Sequence, residues 1–181
     1  MRKWIICIII LSFFNIGSVG MGKKIEKVDY RLLVSNMISM STIDPSTISI
    51  IPNGFPLTEK KKVGNKFGMR FHPILKKNKF HKGIDIPAEL GAPIIATAHG
   101  KVKYAKTSRS YGNVVMINHS KIHSTKYAHM SKILVEKGDI VSKGDTIGLV
   151  GSTGRSTNSH LHYEVLENNK HKNPIHYLCN E

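Results

Sequence analysis

The stretch from Pro93 to Asn118 reads PIIATAHGKVKYAKTSRSYGNVVMIN and contains three short runs rich in β-branched and aromatic residues. Gly100 and Gly112 separate these runs. Such side chains fit a half-buried pleated sheet, and glycine supplies the backbone conformations that tight turns require. The stretch therefore predicts three short strands, over residues 93–98, 101–105 and 113–118.

The same pattern continues toward the C-terminus, with further glycines between or beside the runs. No long amphipathic helix is evident after residue 52. Many short strands with turn residues between them are typical of an all-β sandwich or barrel. We therefore predict an all-β fold, a compact antiparallel, sandwich-like domain preceded by a short N-terminal lead-in. Further strands are expected over residues 124–128, 146–150 and 161–166.

A small internal repeat lies within this region, because Lys137-Gly138-Asp139 recurs as Lys143-Gly144-Asp145. Taken alone, the repeat resembles the glycine turns that frame the strands of biotinyl and lipoyl carrier barrels. A carrier domain also needs an exposed lysine at a hairpin tip between two hydrophobic flanks, and no such lysine stands out. The carrier interpretation predicts a modified lysine, which would be seen as a shift in intact mass.

The N-terminus has the pattern of an export signal. A basic start, Met1 to Lys3, precedes an apolar run from Trp4 to Phe14. This run suits a signal peptide and is short for a membrane span of about 20 residues. Small residues at Ser18 and Gly20 predict cleavage before Met21, with an uncleaved anchor as the alternative. We expect residues 1–20 to be a signal peptide or anchor, residues 21–51 a lead-in, and the location the periplasm or cell envelope.

Composition and charge exclude several classes of protein and of binding partner. The 181 residues include 27 basic and 12 acidic side chains, a net charge of +15, and only two cysteines. A disulfide framework is excluded, and the 40% apolar content argues against a disordered chain. Residues 60–82 hold nine Lys or Arg and no acid. The net charge indicates a polyanionic partner, and the basic run is either a surface for the anionic cell wall or a solvated loop. Export and the lack of an aromatic-basic motif argue against nucleic acid.

Four histidine clusters bear on a possible metal site. The three stronger ones are His81-Lys82-Gly83-Ile84-Asp85, Tyr127-Ala128-His129 and His160-Leu161-His162, and the weaker fourth is Arg70-Phe71-His72-Pro73, whose histidine is expected to be structural. Side chains alternate along a strand, so the two histidines of the third cluster should face the same side. His81 and Asp85 would also share a face if their stretch is extended. Two imidazoles and a carboxylate suit zinc, and three protein ligands leave a fourth position for water. Each cluster alone is also compatible with chance.

Taken in order, these motifs closely resemble the LytM/lysostaphin-type zinc metalloendopeptidases. The resemblance covers about residues 52–178, the extent of that family's catalytic domain. It implies a compact antiparallel β fold, hydrolysis of peptide bonds in bacterial peptidoglycan and one Zn²⁺ per chain. The matching segments are residues 67–73 (FGMRFHP), 81–85 (HKGID), 111–113 (YGN), 127–129 (YAH), 151–156 (GSTGRS) and 160–164 (HLHYE).

Carried over position by position, the resemblance implies His81, Asp85 and His162 as zinc ligands. It implies His129 and His160 as catalytic histidines, one accepting the proton of water and the other stabilising the oxyanion. Their division of roles is open, with His160 favoured as the base. One departure is Asn158-Ser159, where the family often has Gly-Pro, in a loop bordering the substrate groove.

The expected function is therefore exported, zinc-dependent cleavage of peptidoglycan stem-peptide cross-links. A D-Ala to diamino-acid bond is favoured over a glycine bridge. The alternative is a non-catalytic envelope adaptor that activates a partner hydrolase; the presence of all five residues argues against it. Nucleic acid is not an expected partner, and stable membrane embedding is expected only if the N-terminal segment is not cleaved.

The sequence leaves the roles of four further residues near these motifs open. Glu164 shares the parity of His160 and His162, so it could orient a ligand imidazole or serve the strand alone. Arg70 could hold substrate carboxylates or pair internally. Tyr111 and Asn113 could line the groove.

Overall fold

The computed structural model describes residues 49–72 and 76–178. The predicted signal peptide and nearly all of the predicted lead-in lie outside the described residues. In the part of the chain that is described, no helix is long and apolar enough to cross a membrane.

The described residues form twelve strands and one turn of 3₁₀ helix, so the prediction of an all-β fold is confirmed. The strands are β1 (Gly68–His72), β2 (Lys77–His81), β3 (Ile84–Pro87), β4 (Pro93–Ile95), β5 (Gly100–Ser108), β6 (Gly112–Asn118), β7 (His123–Met130), β8 (Lys132–Ile133), β9 (Ile140–Val141), β10 (Thr146–Leu149), β11 (His160–Glu167) and β12 (Lys170–Lys172). The 3₁₀ helix is Pro174–Tyr177.

Every pairing between these strands is antiparallel, as predicted. The main sheet has the order β12-β11-β7-β6-β5-β9, and β3 pairs with the free part of β11. A small sheet has the order β4-β10-β8, and β1 and β2 form a separate hairpin. One hydrophobic core contains residues of both sheets, among them Ile94 and Ile147 from the small sheet and Ile117 and Val165 from the main one.

The six predicted strands are all present, and the hairpin of β1 and β2 is the principal addition. Its second strand carries Lys77 and Lys79, and only its last residue, His81, is buried. A strand with so little burial shows no alternation of apolar and polar residues, which is the signal that predicts strands. The hairpin was therefore not recognisable from periodicity.

The repeated Lys-Gly-Asp motif forms two equivalent turns. The carboxylate of Asp139 accepts a hydrogen bond from the amide of Glu136 at 2.8 Å, and that of Asp145 accepts one from Ser142 at 2.9 Å. Gly138 lies within the first turn, with a φ of 104° that favours glycine. The repeat thus has a structural explanation in turn geometry.

A buried series of hydrogen-bonded polar side chains lies away from the histidine clusters. His119 donates from Nδ1 to the carbonyl of His99 at 2.8 Å, and its Nε2 lies 2.7 Å from Thr125 Oγ1. The hydroxyl of Thr125 contacts that of Tyr127, which also lies 3.1 Å from Thr97 Oγ1. Burial lowers the pKa of His119 to about 4. His119 is therefore neutral in the folded protein at pH 7.

This histidine should make the metal-free protein less stable in mild acid. The unfolded chain binds the proton of His119 near pH 6.5 and the folded chain only near pH 4, so stability falls as pH decreases between these values. Between pH 7 and pH 5 the loss should reach about 2 kcal/mol. Chemical denaturation at both pH values, with chelator present, measures it.

The His119→Gln variant is the matched comparison, because it removes this titration and leaves the other histidines in place. Its unfolding free energy should fall about 2 kcal/mol less than that of the wild type over the same interval. Equal losses in the two proteins would assign the acid sensitivity to other groups.

Candidate active site

Strand β11 presents three candidate side chains on one face. His160, His162 and Glu164 alternate with Leu161 and Tyr163, which are buried in the core. The prediction that the two histidines of His160-Leu161-His162 share a face is confirmed. In the sheet, His162 is paired with Asp85 of β3 on one side and with Ala128 of β7 on the other. The sheet thus brings Asp85 beside His162 and the end of β7 close to both.

His81 and Asp85 were expected to share a face if the stretch between them is extended. The stretch is not extended throughout. His81 is the last residue of β2, and Asp85 lies in β3 after a bend at Gly83. A Cβ atom at Gly83 would lie 2.3 Å from the carbonyl oxygen of Tyr163. Glycine therefore allows the bend to pass close to β11, and the bend turns the two side chains toward each other.

The side chains of His81, Asp85 and His162 form a buried triangle of possible metal ligands. His81 Nε2 lies 3.1 Å from Asp85 Oδ1 and 3.1 Å from His162 Nδ1, and the remaining side, from His162 Nδ1 to Asp85 Oδ1, is 2.8 Å. Ligand atoms about 2.0–2.1 Å from a tetrahedral zinc ion lie about 3.3 Å apart. The triangle could therefore hold a metal ion after shifts of a few tenths of an ångström.

Partners outside the triangle orient each ligand. His81 donates from Nδ1 to the carbonyl of Lys66 at 2.9 Å, which leaves Nε2 for the triangle. His162 Nε2 lies 3.1 Å from Glu164 Oε1, which leaves Nδ1. The second oxygen of Asp85 accepts a hydrogen bond from Asn65 Nδ2 at 2.9 Å. Such outer partners set the tautomer and orientation of metal ligands, so the donor set fits a bound cation.

Protonation of the metal-free triangle follows from this arrangement. Burial opposes charge on His162, but hydrogen bonds to Asp85 and Glu164 raise its pKa above the ordinary value. Burial likewise opposes ionisation of Asp85, and its contacts with His162 and His81 nevertheless lower its pKa. A proton and a metal ion therefore compete for His162, and metal binding should release protons.

Glu164 is fully buried behind His162. The sequence had left open whether Glu164 orients a ligand imidazole or serves the strand alone. Its carboxylate accepts a hydrogen bond from the hydroxyl of Tyr111 at 2.7 Å and pairs with Lys126 Nζ at 2.6 Å. Burial would raise the pKa of Glu164, but His162 and Lys126 lower it to about 2. The ionised carboxylate thus orients His162. Sequence reasoning gave Lys126 no role, although Lys126 and Glu164 are register partners on β7 and β11.

His129 and His160 lie beside the triangle. Their ring centroids are 4.8 Å apart, and His160 Nε2 is 3.7 Å from Asp85 Oδ1. Each donates from Nδ1 to a backbone carbonyl, that of Thr153 at 2.7 Å for His129 and that of Asn158 at 2.8 Å for His160. Both imidazoles therefore keep Nε2 as an acceptor. Burial lowers the pKa of His129 to about 4, and the neighbouring imidazoles of His160 and His162 act in the same direction.

The backbone at His129 is held in an uncommon conformation, with a φ of 62°. The amide of His129 donates to the carbonyl of Tyr111 at 2.8 Å. The loop that contains Thr153 packs against the turn at Gly112, where a Cβ atom would lie 2.2 Å from Thr153 Oγ1. Residues in such conformations persist where their surroundings hold them, and they are common at functional sites.

The other candidates from the sequence have different positions. Tyr111 lies behind the site against Glu164. Asn113 donates from Nδ2 to the carbonyl of Met130 at 3.1 Å, which is a structural contact. Arg70 Nη2 lies 3.8 Å from Asp85 Oδ2, and the arginine side chain is half exposed. Thus Arg70 is at the edge of the site, whereas Tyr111 and Asn113 make structural contacts around it.

Comparison with known proteins assigns the domain. Residues 79–174, more than half of the chain, match the peptidase family M23. The chain belongs to peptidase family M23. This M23 domain contains the whole triangle and both adjacent histidines. The resemblance to LytM/lysostaphin-type peptidases is thereby confirmed.

Similar proteins agree with this assignment. Peptidoglycan DD-endopeptidase ShyC of Vibrio cholerae is 43% identical over 119 residues, which are 66% of this chain and 28% of the relative. A solved zinc-containing peptidase of Vibrio cholerae is 32% identical with a TM-score of 0.62, over 74% of this chain and 40% of the other. The lysostaphin catalytic domain of Staphylococcus simulans is 32% identical with a TM-score of 0.60, over 65% and 92%.

The M23 match extends over only part of the curated relatives. The chain spans between about a quarter and a third of the length of those it matches.

Proposed function

We propose that this M23 protein is a zinc-dependent endopeptidase that hydrolyses peptide cross-links of bacterial peptidoglycan. The observation that carries the proposal is the buried His81–Asp85–His162 triangle with two further imidazoles beside it. ShyC, a relative of similar sequence, is named a peptidoglycan DD-endopeptidase. That name supports the D-Ala to diamino-acid bond as the target over a glycine bridge.

The metal would be held by His81, Asp85 and His162. Two nitrogens and one oxygen at these spacings are a common ligand set of catalytic zinc, and the similar Vibrio cholerae peptidase of known structure contains zinc. When bound, zinc supplies Lewis acidity, which polarises a carbonyl group and brings the pKa of bound water toward about 7. Glu164 and the carbonyl of Lys66 keep the two imidazoles aimed at it.

His129 and His160 would share two tasks, transfer of the proton of the attacking water and stabilisation of the negative charge that develops on the substrate carbonyl oxygen. Each has an acceptor Nε2, because its Nδ1 is hydrogen-bonded to a carbonyl. His160 is the favoured base, since its Nε2 lies 3.7 Å from Asp85 Oδ1. It would take a proton from water and return it to the leaving amine. His129, whose Nδ1 is committed to the Thr153 carbonyl, would stabilise the oxyanion by donating from Nε2 in its protonated, imidazolium form.

The setting of this reaction is the cell envelope. The N-terminal basic and apolar segments support export to the periplasm or envelope, and the net charge of +15 suits an anionic wall. Stem peptides with free carboxylates are the proposed partners within the wall.

Incubation of the purified chain from Met21 with peptidoglycan tests the proposal. Mass spectrometry should find cross-linked muropeptides converted to monomers with new free amines. A chelator should abolish the conversion by emptying the triangle, and added zinc should restore it.

The matched control is the same protein with a wall whose cross-links are glycine bridges, which should be cut more slowly. Absence of cleavage by folded, zinc-loaded protein on several wall chemistries would contradict the proposal and favour the envelope adaptor.

A further inference from the structure

The hairpin of β1 and β2 has two chemically different faces. In its register, Gly68 pairs with His81, Met69 with Phe80 and Arg70 with Lys79. Directly paired residues point to the same side, and sides alternate along each strand. Arg70 and Lys79 therefore share the face of His81, a side chain of the triangle. Met69, Phe71 and Phe80 are on the opposite, exposed face.

The guanidinium of Arg70 lies at the edge of the triangle, and among the described residues its charged contact is with Asp85. Its Nη2 is 3.8 Å from Asp85 Oδ2, beyond hydrogen-bond distance, and that oxygen already accepts from Asn65. Arg70 makes no hydrogen bond to another described residue. A guanidinium has five N–H donors in a planar fork that matches a carboxylate. Its half-exposed position leaves this fork accessible to a ligand at the triangle.

Lys79 adds a second positive charge on the same face. It is exposed and forms no ion pair within the described part of the chain. Residues 60–82 contain nine basic side chains and no acid, so nothing in this segment neutralises the pair. In the described part of the chain, Asp85 at 3.8 Å from Arg70 is the one acid that pairs with these two cations, so positive charge is in excess at this edge of the site and favours an anionic group on the substrate.

We infer that Arg70, with Lys79 beside it, forms a subsite for a substrate carboxylate adjacent to the scissile bond. This inference rests on the proposed function and specifies its substrate. In one class of cross-link, the carbon that bears the cleaved amine also bears a carboxylate, because the diamino acid has two carboxyl groups. That carboxyl carbon is about 2.5 Å from the scissile nitrogen, as bond lengths require.

A carboxylate so close to the reacting atoms must fall near the triangle, where Arg70 lies 3.8 Å from Asp85. A lysine side-chain amine has no carboxylate on its terminal carbon, and a glycine bridge offers a neutral amide there. The subsite therefore selects a dicarboxylic diamino acid with this carboxylate free. Amidation of the carboxylate removes the charge that the guanidinium binds in a bidentate manner.

The test uses two synthetic peptides that differ at one group. Both contain D-Ala linked to a dicarboxylic diamino acid, with the adjacent carboxylate free in one and amidated in the other. Calorimetry on metal-free and zinc-loaded protein gives Kd for each, and mass spectrometry gives cleavage. The wild type should bind the free acid at least about tenfold more tightly, the effect of losing a charged hydrogen-bonded pair.

Four variants identify the source of this preference. Arg70→Gln should weaken binding of the free acid about 10- to 100-fold and leave the amide nearly unchanged. Arg70→Lys should be intermediate because it keeps the charge without the fork. Lys79→Gln, on an exposed side chain, should lose about threefold by charge alone. Lys103→Gln, an exposed lysine of β5 with the same change in charge, should behave as wild type.

Several results would overturn the inference. One is a wild type that binds both peptides equally. Others are an Arg70→Gln variant that weakens both equally, or one that loses zinc, because Arg70 would then only position Asp85. Preferential binding of the free acid by zinc-loaded protein that cleaves neither peptide would keep the subsite and reject the proposed function.

Discussion

Replacement of His162 by alanine is expected to remove metal binding and hydrolysis while the chain still folds. The imidazole supplies one of three ligand atoms and lies 2.8 Å from Asp85. Changing the outer partner of a ligand already costs about 10- to 100-fold in metal affinity, so loss of the ligand itself should cost more than about 100-fold. Metal content by elemental analysis and the rate of muropeptide cleavage measure the two effects.

Two further variants calibrate this result. Glu164→Gln keeps the shape behind His162 but removes the buried charge, and it should lose about 10- to 100-fold in zinc affinity. His123→Ala, on β7 outside the site, should keep full metal content and activity. A His162→Ala protein that still held one zinc ion and cleaved normally would show that the triangle is not the metal site.

Replacement of Gly112 by alanine should damage stability and activity together. Gly112 has a φ of 61°, and a Cβ atom there would lie 2.2 Å from Thr153 Oγ1 and 2.5 Å from Thr153 O. Backbone strain and overpacking should together cost about 3 kcal/mol of unfolding free energy. The carbonyl of Thr153 orients His129, so its displacement should lower the cleavage rate about 100-fold.

Gly91→Ala is the matched control for Gly112→Ala. Gly91 has a φ of 86°, but nothing lies within 4 Å of its Cβ position. This variant should lose about 1 kcal/mol from backbone strain and keep full activity. Denaturation curves and initial rates on the same preparations separate the two effects. Equal activity in both variants would mean that the Thr153 carbonyl does not position His129.

The main strands could be predicted because their residues alternate or are strongly apolar. The run over residues 161–166 is an example: Leu161 and Tyr163 face the core, while His162 and Glu164 face the site. The hairpin of β1 and β2 could not, because its lysine-rich second strand is almost wholly exposed. Alternation of apolar and polar residues reveals a strand only where one of its faces is buried. This hairpin is almost wholly exposed, and its buried contacts are near the site.

The site was predictable only in part. The period-two rule paired His160 with His162, and the family resemblance suggested His81, Asp85 and His129. Glu164 was raised from the sequence as a group that could orient a ligand imidazole, and it lies 3.1 Å from His162 Nε2. The other orienting groups were not predictable, because they are backbone carbonyls of Lys66, Thr153 and Asn158, whose positions depend on loop conformation. Lys126 is similar, since its partner Glu164 is set by the register between two strands distant in sequence.

The alternation on β11 also links correct folding to a working site. A one-residue slip of this strand would expose Leu161 and Tyr163 and bury two imidazoles and a carboxylate in the core. No stable molecule could tolerate that exchange, so a misaligned strand unfolds and does not persist as an inactive copy. The same alternation that buries Leu161 and Tyr163 therefore places His160 and His162 toward the candidate metal ligands, so strand register and site geometry cannot be varied independently.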